Sequence, residues 1–363
     1  MSFQIVGLGT AVPKELVTQE DAARLAVELW GSQTSRVATI PALYRRAGVR
    51  TRHSVVLASS TNGVPATQTF YVAAEDRGDR GPSTGDRMRR YETEALELAT
   101  RAADDALDDA GWDTASISHL VTVSCSGFSA PGVDIGLIER LGLRRDVSRT
   151  HIGFMGCHGA LNGLRVAGAL GAANPGQRVL VVCVELCSLH QQYTNDAQQI
   201  VANALFSDGA AAVVGTTTDV QDGGWTVVDQ RSCLLPGTTE LMSWRIGDHG
   251  FEMSLSPRVP ELIRESLREW MTEWLAANRL AIDDIRGWAI HPGGPRILTA
   301  CADALGLDHS QLGPSQSILS TYGNMSSPTV LFILEQLRED GGSPPCVVLA
   351  FGPGLTVEGA LIC

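Results

Sequence analysis

Three residues far apart in the chain have side chains suited to covalent chemistry, and each lies in a run of small residues. They are Cys157 in residues 153–160, His291 in residues 289–295 and Asn324 in residues 322–327. A cysteine is a strong nucleophile only as its thiolate, and an imidazole beside it lowers the thiol pKa and can then handle the proton. Together the three side chains suit the transfer of acyl groups held as thioesters.

Each of these residues also has an ordinary structural explanation. A buried cysteine at a helix start often packs as a small apolar side chain, a histidine before Pro-Gly-Gly can end a strand, and an asparagine after glycine can occupy a left-handed turn. His158 is a competing base by proximity, but adjacent residues on a helix point to different faces. Only the joint occurrence of several motifs favours a catalytic function.

The composition indicates an acidic protein with a large core. The chain has 363 residues, 44% of them hydrophobic, and a formal net charge of −12. This length exceeds the usual size of one domain, so two fused units or one large core are expected. The acidic excess argues against nucleic acid or an anionic membrane as the main partner. An anionic substrate would need a local basic patch.

The sequence predicts a cytoplasmic protein with no integral membrane segment. The N-terminus lacks a basic region followed by a long apolar stretch, and no window approaches about eighteen uninterrupted apolar residues. The eight cysteines form no CxxC pair and the histidines show no finger-like spacing, so neither a disulfide framework nor a metal site is expected. Most of the cysteines lie in apolar runs typical of buried positions.

Short β-branched runs alternate with longer helical patterns, which is typical of an α/β fold. The predicted strands are residues 3–8, 119–124, 178–185, 210–214, 225–231, 288–290, 346–350 and 356–362. The predicted helices are residues 92–110, about 157–173, 260–278 and 328–340. Residues 59–87, which are rich in Ser, Thr, Gly, Arg and Asp, are predicted to form a long surface loop.

The order of these elements is repeated along the chain. Residues 118–214 and 286–362 each contain a strand, a helix and paired strands. We therefore predict two related α/β halves packed face to face. The first, residues 1–215, carries the nucleophilic cysteine, and the second, residues 216–363, carries the catalytic histidine and asparagine. The three side chains would converge between the halves.

Five motifs in a fixed order and spacing span essentially the whole chain. They are residues 156–160, 204–212, 291–295, 323–327 and 351–358. In these motifs the chain resembles the type III polyketide synthases of bacterial type, the chalcone synthase-like branch of the thiolase superfamily. The resemblance implies a thiolase-like fold, with two related α/β halves forming a layered αβαβα core, and a homodimer. The glycine-proline loop at 351–354 distinguishes this branch from ordinary ketoacyl synthases better than the three catalytic residues do.

The resemblance implies chemistry on coenzyme A thioesters, with no other cofactor. Cys157, at the start of a buried helix, would gain thiolate character from the helix N-terminus and from His291, and would accept the acyl group of an acyl-CoA starter. His291 and Asn324 would donate hydrogen bonds to the malonyl-CoA carbonyl and stabilise the enolate formed as carbon dioxide leaves. The carbanion would attack the Cys157 thioester, and the product would cyclise to a pyrone, resorcinol or related phenol.

The resemblance also assigns residues to the walls of the substrate cavity. Phe206 matches the aromatic gatekeeper between the coenzyme A tunnel and the cavity, and Met253 stands where the family often has a second gatekeeper phenylalanine. The other expected wall residues are Cys125, Cys187, His190, Gly352, Pro353 and Gly354. The coenzyme A phosphates are expected at a basic cluster formed by Arg45, Arg46, Arg50 and Arg52, with Arg296 as a second candidate.

Two other enzyme classes share the same three residue types. A ketoacyl synthase of the fatty-acid initiation type uses them with an acyl carrier protein, but usually has Asn rather than Gly-Gly-Pro after its histidine. A papain-like hydrolase has the same Cys, His, Asn order, but its second cysteine and aromatic residue after the nucleophile are missing here. The polyketide synthase is the leading hypothesis, and the ketoacyl synthase is the alternative.

Overall fold

A large mixed sheet holds most of the strands. The computed structural model describes residues 2–58, 67–218 and 225–363, and in these ranges the chain forms fifteen strands and ten α-helices. The strands are β1 (Phe3–Ala11), β2 (Leu16–Thr18), β3 (Thr51–His53), β4 (Leu57–Ala58), β5 (Thr67–Gln68), β6 (Ile117–Ser124), β7 (Ser148–Gly153), β8 (Arg178–Leu186), β9 (Asp208–Thr216), β10 (Trp225–Leu234), β11 (Met242–Gly247), β12 (Gly250–Leu255), β13 (Gly287–Ile290), β14 (Cys346–Gly352) and β15 (Thr356–Ile362). The helices are α1 (Gln19–Trp30), α2 (Ile40–Arg46), α3 (Thr84–Ala110), α4 (Val133–Leu141), α5 (Gly159–Ala173), α6 (Ala197–Leu205), α7 (Val259–Ala277), α8 (Pro295–Leu305), α9 (Gly313–Tyr322) and α10 (Thr329–Glu339).

Nine strands form one sheet in the order β13-β14-β15-β10-β1-β9-β8-β6-β7. The predicted repeat is visible in it, because β6 pairs with β8 in parallel as β13 does with β14, and each parallel pair is followed by an antiparallel neighbour, β9 or β15. The two halves meet where β1 pairs with β10. The boundary predicted at residues 215 and 216 stays a prediction.

The helices complete a layered arrangement. Helix α3 packs on β1, β9 and β8; α5 and α10 pack between the two halves of the sheet; and α7 pairs with α8 over the other half. Three buried hydrophobic clusters fill the spaces between these layers. The predicted thiolase-like αβαβα core is therefore confirmed.

Two glycines explain how closely α3 approaches the centre of the sheet. A Cβ on Gly7 would lie 2.2 Å from the carbonyl oxygen of Ala106, and a Cβ on Gly9 would lie 2.4 Å from the Ala106 nitrogen. Only a residue without a side chain fits against a helix backbone at that distance.

The prediction for residues 59–87 was wrong at its C-terminal end, because α3 begins at Thr84 and not at residue 92. Ser83 and Asp86 form a capping box that satisfies free N–H groups at the helix start. Arg87 and Tyr91, in the first turns of the helix, are buried. Residues 67–68 form β5, and residues 59–66 lie outside the described ranges. Among the described helices, none has the length and apolar character needed to cross a membrane.

Candidate active site

Cys157 lies in a tight 3₁₀ turn that leads directly into α5. The turn depends on Gly156, which has a left-handed φ of 68° and whose added Cβ would lie only 2.6 Å from Cδ of Pro353. The glycine therefore lets the nucleophile's turn contact the loop between β14 and β15. Cys157 itself is 9% exposed.

The backbone of Asn324 is hydrogen-bonded to residues at and just after the C-terminal end of α6. Its N–H donates to the carbonyl of Leu205 over 2.9 Å, and its own carbonyl accepts from the N–H of Ser207 over 2.9 Å. Its side-chain Oδ1 accepts from the N–H of Ser326 over 2.8 Å, which leaves the amide NH₂ as the end that hydrogen-bonds to Cys157. The structure thus places the side chains of the predicted cysteine and asparagine next to each other.

Burial raises the pKa of Cys157 to about 11. Hydrogen bonding to Ser326 opposes this rise, the negative charge of Glu185 adds to it, and hydrogen bonding to Asn324 opposes it. Removing the thiol proton in this site therefore requires a base close by.

His291 follows β13 and is 1% exposed. Its backbone N–H donates to Leu349 over 2.8 Å, while neither ring nitrogen has a hydrogen-bond partner within the described ranges. Burial, and to a smaller extent the charge of His158, lowers the pKa of His291 to about 3. The imidazole is therefore neutral, with both nitrogens free to serve a substrate or a thiol.

Glu185 ties together the segments around the nucleophile. Its buried carboxylate accepts from the N–H groups of Cys125 and Ser126, from Ser126 Oγ over 2.6 Å and from Ser327 Oγ over 2.6 Å. It thus joins the ends of β8 and β6 to the loop that carries Asn324. Burial raises the pKa of this carboxyl. A glutamate in an otherwise apolar strand was a signal that sequence analysis could have used, because a buried charge needs partners.

A small cavity of about 20 Å³ lies at Cys157 and matches most of the predicted wall. Its lining residues are Cys125, Gly156, Cys157, Cys187, Phe206, Met242, Trp244, Met253, Ser326, Gly352 and Pro353. We call it the reaction cavity. Gly354 lies outside this set, and its N–H donates to the Met242 carbonyl over 2.8 Å. The space holds roughly one water molecule, so an acyl chain can enter only if wall side chains move.

A second small cavity adjoins the first and shares four of its lining residues: Cys187, Phe206, Trp244 and Met253. His190 lines only this second cavity. Its Nε2 lies 2.6 Å from the Ser126 carbonyl, its Nδ1 accepts from the Phe251 N–H over 3.0 Å, and its ring stacks on Phe251 at 4.2 Å. His190 is therefore a fixed structural histidine beside the cavity.

A much larger cavity, about 570 Å³ in volume, opens on the other side of the α6 C-terminus. Arg46 and Arg296 line it, together with the Gly293–Gly294 segment after His291. Leu205 lines this large cavity while its neighbour Phe206 lines the reaction cavity. Phe206 therefore lies beside the boundary between the two cavities, and its assignment as a gatekeeper stays a prediction.

The other arginines of the predicted basic cluster do not line this cavity. Arg45 and Arg50 are exposed elsewhere, and Arg50 Nε donates to Ser320 Oγ over 2.8 Å. Placing Arg52 at the coenzyme A phosphates was wrong, because Arg52 is buried and donates to the carbonyls of Asn203 and Phe206. An arginine on a short strand is buried here because α6 offers carbonyl acceptors, which the local sequence does not reveal.

Family models for known proteins match nearly the entire chain. The N-terminal domain of chalcone and stilbene synthases matches residues 2–218, and their C-terminal domain matches residues 227–363. The chain belongs to the chalcone and stilbene synthase family.

This chalcone and stilbene synthase family member is similar in sequence to two bacterial enzymes. It is 35% identical to the alpha-pyrone synthesis polyketide synthase-like Pks18 of Mycobacterium tuberculosis, over 98% of this chain and 90% of that protein. It is 36% identical to the 1,3,6,8-tetrahydroxynaphthalene synthase of Streptomyces peucetius subsp. caesius, over 99% of this chain and 92% of that one.

Solved structures agree with these matches. PKS-I of the brown alga Ectocarpus siliculosus superposes with a TM-score of 0.92 at 30% identity, covering 100% of this chain and 98% of the other. The type III polyketide synthase 1,3,6,8-tetrahydroxynaphthalene synthase of Streptomyces coelicolor gives 0.85 at 28% identity, covering 99% of both chains. The matches confirm the prediction of a type III polyketide synthase, which is an acyltransferase, and give no support to the ketoacyl synthase alternative.

Three side chains of this family member were missed by the sequence analysis. Trp244 lines both small cavities and donates from Nε1 to the Cys125 carbonyl over 2.7 Å. Ser326 hydrogen-bonds to Cys157 and lies 3.3 Å from the Cys125 sulfur. Met242 completes the wall. Their places depend on a hairpin and a loop that reach the site from distant parts of the chain.

Proposed function

We propose that this synthase condenses malonyl-CoA with an acyl-CoA starter bound to Cys157 and cyclises the product to a pyrone, a resorcinol or a related phenol. The observation that carries the proposal is the contact between the Asn324 amide and the Cys157 thiol, made between an arginine-lined cavity and a small apolar one. The arginine-lined cavity has the positive charge needed to bind coenzyme A phosphates, and the small apolar cavity keeps water away from reactive intermediates.

The three catalytic residues account for each step. The Cys157 sulfur attacks the starter thioester, and its proton passes through His291 to the coenzyme A that leaves. Malonyl-CoA then loses carbon dioxide, and the electron pair of the broken bond forms an enolate whose oxygen accepts hydrogen bonds from His291 and Asn324. The enolate carbon attacks the thioester on Cys157, releasing the sulfur and forming a lengthened β-ketoacyl-CoA.

The test is mass spectrometry of the products formed from malonyl-CoA and a panel of short, long and aromatic acyl-CoA starters. We expect pyrones or phenols from the wild type and none from Cys157→Ala, whose circular dichroism should match the wild type. Product formation at the wild-type rate by Cys157→Ala would overturn the mechanism. Turnover only with an acyl carrier protein would instead indicate a ketoacyl synthase.

For the coenzyme A phosphates we propose Arg46 and Arg296, since both line the large cavity. Replacing either with alanine should raise KM for malonyl-CoA with little change in kcat, because the lost contact is made equally in the ground and transition states. Arg45→Ala, outside the lining, is the matched control and should leave KM unchanged.

We also propose that the synthase is a homodimer. Phe128, Phe154 and Met155 are 49%, 42% and 43% exposed, and the rings of Phe128 and Phe154 are 6.0 Å apart, so large apolar side chains form a continuous surface. The neighbouring β7 is an edge strand with unpaired backbone groups. A second copy would cover both features. Light scattering should give the dimer mass for the wild type and a smaller mass for Phe154→Asp; a monomeric wild type would refute this.

A further inference from the structure

The C-terminal end of α6 is bound by groups from three other elements. Helices end with carbonyls that lack partners within the helix. Here Ala204 O accepts from Gln19 Nε2 over 2.8 Å, and Leu205 O accepts from the backbone N–H of Asn324. The carbonyls of Asn203 and Phe206 both accept from Nη1 of Arg52, over 2.7 and 2.8 Å.

Arg52 touches both sides of the active site at this point. Its Nη1 holds the backbone of Phe206, which separates the two cavities. Its side-chain stem lies against Gly323, because a Cβ on Gly323 would approach Arg52 Cγ to 3.2 Å. Gly323 precedes Asn324, whose backbone forms a bridge with Phe206. One buried side chain therefore contacts the segments that carry the gatekeeper and the catalytic amide.

The arrangement favours a cation with a planar donor group. Arg52 is 4% exposed and its burial lowers its pKa, while interaction with Tyr44, whose ring centroid is 5.6 Å from the guanidinium, and the negative charge of Asp208 oppose that change. A positive charge at a helix C-terminus is stabilised by the helix dipole. An uncharged side chain of similar length would leave two carbonyls at the helix end without a donor.

We propose that Arg52 is a positioning residue for malonyl-CoA decarboxylation: by holding the end of α6 it fixes the Asn324 amide and Phe206 relative to Cys157. This inference rests on the proposed function. A purely structural residue would affect the whole active site when replaced. Arg52 should instead affect decarboxylation selectively, because Cys157 is held by a separate turn at α5 and by the loop between β14 and β15.

Arg52→Met tests the selectivity. We expect kcat for malonyl-CoA decarboxylation without starter to fall about tenfold or more, since a displacement of about 1 Å can cost a hundredfold. KM for malonyl-CoA should stay within about twofold. The rate of Cys157 alkylation by iodoacetamide should fall much less than decarboxylation, because the thiol loses only its contact with Asn324 and keeps its own turn and Ser326. Arg52→Lys keeps the charge but not the planar fork, so it should restore decarboxylation in part.

Arg268→Met is the matched control. Arg268 donates to the Ala304 carbonyl in the last turn of α8, so the same type of contact is lost at another helix end. It should leave decarboxylation unchanged per folded molecule. Equal losses of decarboxylation and alkylation in both Arg52 variants would overturn the proposal, as would full activity of Arg52→Met. Should Arg52→Met not fold, Arg52→Lys provides the same comparison. A wild type that does not decarboxylate malonyl-CoA would instead refute the proposed function.

Discussion

At the scale of single residues, the active site combines an acid and a base that are both driven to their neutral forms. Burial holds the thiol of Cys157 protonated and the imidazole of His291 unprotonated. Proton transfer between them creates two opposite charges that stabilise each other in a medium of low polarity. The ring nitrogens of His291 have no hydrogen-bond partner in the described ranges, so this imidazole can accept the proton as the proposed mechanism requires.

Replacing His291 with alanine should therefore slow the alkylation of Cys157 at pH 7 by about tenfold or more, because burial alone keeps the thiol protonated. The rate can be followed by mass spectrometry of the peptide that contains Cys157. His309→Ala, at an exposed histidine, is the control. Equal rates in His291→Ala and the wild type would show that another base activates the thiol.

Trp244 should limit the length of the product, because it fills the space between the two small cavities. Trp244→Gly would join them, and we expect longer starters or additional extensions in the product spectrum, read by mass spectrometry. Arg245→Ala, next to it on β11 but exposed, should leave the products unchanged. An unaltered spectrum for Trp244→Gly would place the growing chain elsewhere.

His190 should couple stability to pH. Burial lowers its pKa to about 3, whereas the usual histidine value is 6.5, so between these values the unfolded chain binds a proton that the folded chain does not. The contribution of His190 is complete above pH 6.5 and is lost as the pH falls towards 3, at up to about 1.4 kcal/mol per pH unit.

In urea unfolding, the wild type should therefore lose about 2 kcal/mol more between pH 7 and pH 5 than His190→Gln, in which this group no longer titrates. Glutamine can still donate to the Ser126 carbonyl. Parallel pH dependences in the two proteins would contradict a neutral, enclosed His190.

At the scale of secondary-structure elements, the turn before α5 and the loop between β14 and β15 are built as one unit. Their contact exists because residue 156 lacks a side chain. Gly156→Ala should lower the unfolding free energy by more than the roughly 1–2 kcal/mol cost of a left-handed alanine, because the methyl group also collides with Pro353. Activity should fall with it.

Gly176→Ala separates the two causes of that loss. Gly176 also has a left-handed φ, 86°, but an added Cβ there meets nothing within 4 Å. Chemical denaturation should show only the conformational cost for Gly176→Ala, with activity intact. Similar losses in both variants would mean that the contact with Pro353 contributes nothing.

Elements with strong local patterns were predictable from sequence, and those defined by distant packing were not. All eight predicted strands exist, because buried strands such as β8 contain long apolar runs, in that case residues 179–184. The edge strand β7 was missed since four of its six residues are polar. The β11–β12 hairpin was missed too, and with it Trp244, whose hydrogen bond joins residues 119 positions apart.

At the scale of the whole molecule, the sequence motifs predicted candidate catalytic residues, while the shapes of the cavities came only from the assembled layers. Cys157 and Asn324 could be proposed because motifs record residue types. The burial of Arg52 and the small size of the reaction cavity could not, since both depend on how α6, β3 and the hairpin pack together.

The central position of β1 has a consequence for how the chain is made. β1 leaves the ribosome long before its partners, which are β9, ending at Thr216, and β10, beginning at Trp225. At about 5–20 residues per second, a strand with two unpaired edges waits on the order of 10–40 s for its neighbours. The nascent chain therefore carries a β-strand with two open edges until β9 and β10 have been made, and unpaired edges of this kind can pair with other chains.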